Sequence, residues 1–136
     1  MLRIIIADDH PVVRQALKQI IRDELPTAHI EETADTTSLL EKVFTGDWDL
    51  VISDLAMPGG GGLFALKKII QAKKNLPVLI VSTYPSEQYQ ARALKAGAEG
   101  FICKDALPQD LVTATRRILA EKKILCNNTP KPKPRH

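Results

Sequence analysis

The sequence predicts an α/β domain built on an open, doubly wound parallel sheet. Five short apolar runs alternate with five segments of helical periodicity, and such a repeat folds with right-handed crossovers that place helices on both faces of one sheet. The first run, residues 3–7, is rich in β-branched residues and has no polar alternation, which is typical of a strand buried on both faces. A length of 136 residues fits one such domain.

Two strand–helix units occupy the first third of the chain. The first strand stops at Asp8 and Asp9, and Pro11 begins a helix at its first position, where a missing N–H costs nothing. A second, more polar strand over residues 29–33 suits a sheet edge, and the helix after it ends at Gly46. The residues expected to face inward from these two helices are Val12, Val13, Ala16, Leu17, Ile20, Ile21, Leu39, Leu40, Val43 and Phe44.

Three further units complete the pattern. Their strands are predicted at residues 50–53, 77–82 and 100–103. Their helices are predicted after Gly62, over residues 87–96 and from Pro108. The inward-facing residues expected on the first and last of these helices are Leu63, Leu66, Ile69, Ile70, Leu111, Ala114, Ile118 and Leu119.

Polar residues stand at the carboxyl ends of four strands, where ligands of doubly wound sheets bind. Asp8 and Asp9 follow the first strand, Asp54 follows the third, Ser82 ends the fourth and Lys104 follows the fifth. Taken singly, an aspartate here caps a helix, a serine is a turn hydroxyl and a lysine is a solvated charge. Their coincidence at one edge predicts a shared site.

Three carboxylates in one crevice require a cation, because two of them about 4 Å apart repel by roughly 4 kcal/mol at an effective dielectric near 20. A cluster of oxygen ligands favours a hard ion, and Mg²⁺ suits a shallow site because it keeps several waters and often bridges to phosphate. Lys104 adds a second positive charge. The pattern indicates a phosphoryl site in which an aspartate acts as nucleophile.

The net charge of +3 suggests an acidic partner such as nucleic acid. Lys131, Lys133 and Arg135 lie in the last six residues, however, and without them 16 basic residues balance 16 acidic ones. No apolar run of about 18 residues and no signal-peptide pattern is present, so we expect a cytoplasmic location and no membrane partner. Cys103 and Cys126 are expected to be reduced thiols.

The chain from Leu2 to about Leu125 resembles the receiver domain of two-component response regulators. The resemblance is carried by residues 8–11 (Asp-Asp-His-Pro), 54–59 (Asp-Leu-Ala-Met-Pro-Gly), Ser82, 93–98 (Ala-Leu-Lys-Ala-Gly-Ala) and 100–105 (Gly-Phe-Ile-Cys-Lys-Asp). The opening motif and the Lys-Asp pair most resemble receivers that precede a LuxR-type helix-turn-helix domain. The implied fold is flavodoxin-like, a (βα)5 sheet with strand order 2-1-3-4-5.

The resemblance also implies a role for each site residue. Asp54 would be the phosphoacceptor, attacking a phosphohistidine on a sensor histidine kinase. Asp9, Asp54 and the backbone carbonyl of Ala56 would bind Mg²⁺ directly, whereas Asp8 would act through a bound water. Lys104 would hold a phosphoryl oxygen.

Two more residues would form the switch. Ser82 would turn its hydroxyl toward the phosphoryl group, and Phe101 would swing into the space that this movement frees. The face formed by the fourth helix, the fifth strand and the fifth helix would then control an output. That output is expected to be transcription, with homodimerisation on phosphorylation and with DNA contacted only through a helix-turn-helix domain that this chain lacks.

Some residues depart from the family pattern or select among its variants. Phe101 has no hydroxyl to bond in its inward state, and Asp105 stands where many relatives have a proline. Ala56 and Tyr84 match two variable positions that flank the site. His10 is interpreted as a helix-start or solvated side chain rather than a proton-transfer group.

Two other functions are kept as alternatives. An aspartyl-phosphate phosphatase of the haloacid dehalogenase type also uses an aspartate at a strand end, but its Asp-x-Asp pattern does not match residues 8–10. A phosphorylation-independent interaction module is disfavoured by the complete acidic site. The glycine run 59–62 lacks the Lys-Ser/Thr of a nucleotide-binding P-loop and follows the third strand, so we interpret it as a flexible segment leading into a helix.

After Leu125 the composition changes. Alternating prolines predict an extended linker or tail over residues 126–136, so the receiver is assigned to residues 1–125. The chain is then either a receiver cut at its linker or a stand-alone receiver with a basic tail, and the LuxR-type resemblance favours the first.

Overall fold

The computed structural model describes residues 2–83 and 87–126. Within them, five strands alternate with five α-helices, as predicted. The elements are β1 (Arg3–Ala7), α1 (Pro11–Glu24), β2 (His29–Thr33), α2 (Thr36–Thr45), β3 (Leu50–Asp54), α3 (Gly61–Ala72), β4 (Val78–Ser82), α4 (Glu87–Lys95), β5 (Gly100–Cys103) and α5 (Gln109–Cys126). A single 3₁₀ turn, Lys104–Ala106, connects β5 to α5.

All strand pairs are parallel, and the order β2-β1-β3-β4-β5 confirms the doubly wound sheet. The strand register aligns the carboxyl ends. Ala7 lies opposite Ser53, so Asp8 and Asp54 follow at the same level. Ser82 lies opposite Cys103, which places Lys104 beside the end of β4. The predicted site residues therefore meet at one edge of the sheet.

The sheet separates two hydrophobic cores. Because successive side chains of a strand point to opposite faces, Ile5 packs with α2, α3 and α4, while its neighbours Ile4 and Ile6 pack with α1 and α5. All three isoleucines are fully buried. Burial on both faces explains why β1 has no polar alternation.

Three residues expected to face inward are exposed, and those expectations are wrong. Val12 is 82% exposed, Phe44 is 46% exposed, and Ala16 is also exposed. Val12 and Phe44 each lie five residues from a fully buried leucine of their helix, Leu17 and Leu39. Five residues correspond to about 140° around an α-helix, which turns both side chains away from the core.

No helix in residues 2–83 and 87–126 is long and apolar enough to cross a membrane. Cys103, on β5, is a free thiol. The predicted linker begins at Cys126, the last residue of α5, and its remaining residues, 127–136, lie outside the described part of the chain.

Candidate functional site

Three strand ends bring Asp8, Asp54 and Lys104 into direct contact. The Nζ atom of Lys104 lies 3.0 Å from Oδ2 of Asp8 and 3.3 Å from Oδ1 of Asp54. Asp8 has no exposed surface, and Asp54 is 3% exposed. One ammonium group thus faces two buried carboxylates, which leaves an excess of negative charge.

Asp9 and Asp54 complete an oxygen-rich cluster. Ligand atoms of Asp8, Asp9 and Asp54 lie within 4.8 Å of one another. Oδ1 of Asp9 and Oδ2 of Asp54 are buried and accept no hydrogen bond within the described residues. Because buried anionic oxygens without partners are costly, a divalent cation would satisfy both at once. The three carboxylates therefore fit the Mg²⁺ site that the sequence predicts.

The surroundings of Asp54 raise the pKa of its carboxyl group above the usual 3.8. Burial is the main cause, because it disfavours the charged form, and the negative charge of Asp8 adds to it. The Lys104 ammonium and the Ala56 amide act in the opposite direction without cancelling the rise. A cation bound beside Asp54 would favour its charged form and so oppose this rise in its pKa.

Arg14 fixes the end of β1 from the side of α1. Its Nη1 donates to the Asp8 carbonyl at 2.8 Å, and its Nε donates to Oε1 of Glu32 at 2.9 Å. Lys18 donates to the other oxygen of Glu32 at 2.8 Å. These two cations, Lys18 first, hold the pKa of Glu32 below its usual value. No local pattern in the sequence marks Arg14, because its partners come from β1 and β2.

His10 points into the acidic cluster. Its backbone N–H donates to Oδ1 of Asp8 at 2.8 Å, and its ring Nδ1 lies 3.0 Å from the same oxygen and 3.1 Å from Oδ1 of Asp9. The side chain is 60% exposed and His10 is the N-cap residue of α1, in agreement with the helix-start interpretation. Its contact with the carboxylates was missed, although its place directly after two aspartates and before Pro11 was a usable signal.

The loop between β3 and α3 lies against the start of α2. The Thr36 N–H donates to the Pro58 carbonyl at 2.9 Å, and Thr36 Oγ1 accepts from the Gly61 N–H at 3.1 Å. A Cβ atom on Gly62 would lie 2.2 Å from the Asp54 carbonyl oxygen, so only glycine allows this approach. The glycine run does lead into α3, as predicted, while its flexibility stays a prediction.

A cleft of about 770 Å³ opens over the cluster. Asp9, His10, Asp54, Ala56, Ser82 and Tyr89 are among its lining residues. Ser82 is buried, with 2% of its surface exposed.

Phe101 lies on β5, where it is half-buried and packs against the core under α3 and α4. Tyr84, the second flanking position, lies outside the described residues.

Comparison with known families gives a match over most of the chain. The model of the response regulator receiver domain matches residues 4–116. A curated relative, the glycerol metabolism activator of Pseudomonas putida, is 39% identical over 122 residues, which cover 88% of this chain and 54% of that protein. The oxygen regulatory protein NreC of Staphylococcus carnosus is 35% identical over 86% of this chain and 54% of its own length. The chain spans about half the length of these relatives.

Solved structures show the same fold. A LuxR-family two-component response regulator from Aurantimonas sp. SI85-9A1 matches with a TM-score of 0.79 and 32% identity, over 87% of this chain and 84% of that one. A LuxR-family DNA-binding response regulator from Staphylococcus aureus matches with a TM-score of 0.80 and 26% identity, over 87% and 98% of the two chains. RcsB from Salmonella enterica serovar Typhimurium, bound to the promoter rprA with the phosphomimetic BeF3-, matches with a TM-score of 0.80 and 25% identity, over 93% and 66%.

Proposed function

The chain belongs to the response regulator receiver family, and from this premise we propose that it is a phosphorylation switch of a two-component system with Asp54 as phosphoacceptor. One observation carries the proposal. Asp54 ends β3 below an open cleft, with Oδ1 beside the Lys104 ammonium at 3.3 Å and Oδ2 without a hydrogen-bond partner among the described residues. Asp54 thus offers Oδ2 to a cation and holds Oδ1 beside a positive charge, below a cleft that a phosphoryl donor can enter.

Phosphoryl transfer depends on positioning and charge neutralisation more than on acid–base groups. A carboxylate oxygen of Asp54 attacks phosphorus and an O–P bond forms. The N–P bond of a kinase phosphohistidine breaks, and its electron pair returns to the imidazole. Burial raises the pKa of Asp54, and a more basic carboxylate is the stronger nucleophile. Lys104 contacts an oxygen of the transferred group and offsets its charge.

The same carboxylates would hold Mg²⁺. Asp9, Asp54 and the Ala56 carbonyl would be direct ligands, and Asp8 would act through a water. When bound, the ion supplies the neutralisation of charge that develops on the phosphoryl oxygens. Asp8, pinned by Lys104 and by the hydrogen bond from Arg14 to its carbonyl, keeps the acidic cluster in register.

Phosphorylation introduces a new anion at Asp54, to which Ser82 and Phe101 would respond. The Ser82 hydroxyl, already at the cleft wall, turns toward a phosphoryl oxygen. Phe101, half-buried on β5 beside β4, moves into the space that is freed. Because Phe101 has no hydroxyl, apolar burial alone stabilises its inward state. The face of α4, β5 and α5 changes as a result.

The partners follow from the family. A sensor histidine kinase would donate the phosphoryl group, and the altered face would drive homodimerisation and a transcriptional output. The RcsB relative is described on promoter DNA with a phosphomimetic, and the Staphylococcus aureus relative is described as DNA-binding. This chain spans about half the length of its curated relatives. DNA contact would therefore belong to a helix-turn-helix domain beyond the receiver.

Labelling with acetyl phosphate, followed by intact-mass measurement, tests the proposal. We expect one phosphoryl group per chain with Mg²⁺, none after chelation, and none in Asp54→Ala. Asp47→Ala is the matched control, and it should label normally. Asp47 is an exposed aspartate before the start of β3, at the other end of this strand from Asp54. Labelling without a divalent ion, or labelling that survives Asp54→Ala, would sink the proposal.

A further inference from the structure

The ring of His10 occupies a position among the carboxylates that a ligand of the ion would occupy. Its Nδ1 lies 3.0 Å from Oδ1 of Asp8, 3.1 Å from Oδ1 of Asp9 and 3.9 Å from Oδ2 of Asp54. The hydrogen bond from the His10 N–H to Asp8 and the start of α1 at Pro11 fix the backbone that carries the ring. The backbone therefore carries the imidazole beside the site, with the side chain 60% exposed.

The separations of Nδ1 from Asp9 and Asp54, the two carboxylates proposed as direct ligands, can be compared with the edges of one coordination shell. Ligand atoms about 2.1 Å from an octahedral metal are about 3.0 Å apart when adjacent and about 4.2 Å apart when opposite. The 3.1 Å from Nδ1 to Oδ1 of Asp9 is an adjacent-ligand distance, and the 3.9 Å to Oδ2 of Asp54 lies between the two values.

A second observation comes from the orphaned oxygen of Asp54. Its side chain is 5% exposed, and Oδ2 faces Nδ1 without accepting a hydrogen bond in the described part of the chain. Oδ1 of Asp9 is close to Nδ1, but this contact also lacks hydrogen-bond geometry. In the structure Nδ1 is instead hydrogen-bonded to Oδ1 of Asp8 at 3.0 Å, so binding an ion through Nδ1 would replace this hydrogen bond.

We propose that His10 Nδ1 is a direct ligand of the divalent ion in this site. The donor set is then mixed, with one imidazole nitrogen among carboxylate oxygens, and it favours first-row transition ions such as Mn²⁺ and Co²⁺ more than an all-oxygen set does. The proposal rests on the proposed function only in assigning the ion to these carboxylates. In this proposal His10 is the N-cap residue of α1 and also determines which divalent ion the site prefers.

Metal binding by the full chain tests this directly, with His10→Phe as the variant because phenylalanine keeps a ring but has no nitrogen. Titration calorimetry should show Co²⁺ affinity lowered about tenfold or more in His10→Phe, with Mg²⁺ affinity changed much less. Pulsed electron paramagnetic resonance of the Mn²⁺ complex should show coupling to a directly bound ¹⁴N nucleus that disappears in His10→Phe. His29→Phe is the matched control and should leave metal binding unchanged. His29 is the first residue of β2, at the end of that strand away from the carboxylates, and its ring stacks with Trp48.

Three results overturn the proposal: no nitrogen coupling in the wild type, an equal loss of Co²⁺ and Mg²⁺ affinity, or tighter binding in His10→Phe, which would make the imidazole a competitor of the ion. Acetyl phosphate labelling in Mg²⁺ separates this test from that of the proposed function. A chain that labels at Asp54 but shows no nitrogen coupling refutes only the role of His10. A chain that shows the coupling but never labels refutes only the phosphoacceptor role.

Discussion

The ammonium nitrogen of Lys104 lies 3.0 Å from Oδ2 of Asp8, a carboxylate with no exposed surface. The same nitrogen is 3.3 Å from Asp54, and the lysine side chain is itself only 11% exposed. Before any phosphoryl group arrives, Lys104 is therefore the counter-ion of a buried acidic pair. Contact with a phosphoryl oxygen would be a second role for Lys104, in addition to its structural role as this counter-ion.

Replacing this counter-ion should be costly. We expect Lys104→Met to lower the free energy of unfolding by about 3 to 5 kcal/mol in buffer with chelator, because it leaves buried charge uncompensated. The matched control is Lys42→Met, whose ammonium is 37% exposed and 2.8 Å from Glu31, and which should lose about 1 kcal/mol or less. Urea unfolding at neutral pH measures both.

Mg²⁺ should recover part of the stability that Lys104→Met loses, since the ion supplies positive charge to Asp8 and Asp54. The recovery should exceed the stabilisation of wild type at the same Mg²⁺ concentration. Equal losses in the Lys104 and Lys42 variants, with no extra response to Mg²⁺, would show that Lys104 is not the structural counter-ion.

Asp54 itself should destabilise the fold at neutral pH. Burial, and after it the charge of Asp8, raises the pKa of Asp54 in the folded state. The folded chain therefore binds this proton more tightly than the unfolded chain does. The free energy of unfolding should fall as the pH rises from 3.8 through the folded-state pKa. Asp54→Asn should therefore be more stable than wild type at pH 7, with a difference that disappears below pH 3.8. Thermal unfolding across this range measures it, Asp47→Asn should show no such gain, and a gain that is independent of pH would contradict the titration account.

The fold was predictable because its signals are local. Continuous β-branched runs such as residues 3–7 indicate strands buried on both faces, and glycines and prolines mark the ends of helices. The exposure of Val12 and Phe44 was mispredicted because both lie beside the apolar stripe of their helices, and only the docking of each helix decides which side is covered. Helical periodicity predicts that a helix has an apolar stripe, but it does not predict which residues beside that stripe are buried.

The site was predictable to the extent that strand ends converge in any doubly wound sheet. That geometry brought Asp8, Asp54 and Lys104 together in the structure as it did in the sequence-based prediction. His10 and Arg14 were missed for a different reason. Their roles depend on where a ring nitrogen and a guanidinium point, which follows from the angle at which α1 leaves β1.

Gly62 should be irreplaceable because α3 starts against the backbone of β3. In Gly62→Ala the new Cβ would lie 2.2 Å from the Asp54 carbonyl oxygen, so the end of β3 must shift. We expect a loss of about 1 to 3 kcal/mol together with weaker Mg²⁺ binding. In Gly61→Ala the Cβ would lie 3.5 Å from the Leu55 carbonyl oxygen, an ordinary van der Waals contact, so the loss of about 1 to 2 kcal/mol comes from a φ of +85°. Unchanged Mg²⁺ affinity in Gly62→Ala would show that the strand end absorbs the methyl group.

Glu32 should show a pH dependence of opposite sign to that of Asp54. Lys18 and then Arg14 lower its pKa in the folded state, so its contribution is present above its ordinary value of 4.5 and is lost as pH falls through the folded pKa. Glu32→Gln should lower the free energy of unfolding by about 1 kcal/mol at pH 7, and the difference from wild type should vanish in acid.

The exposed Glu41 provides the control variant Glu41→Gln, which should have little effect at either pH. Urea unfolding at both pH values decides the matter, and a deficit of Glu32→Gln that persists in acid would mean that packing, rather than charge, gives Glu32 its effect.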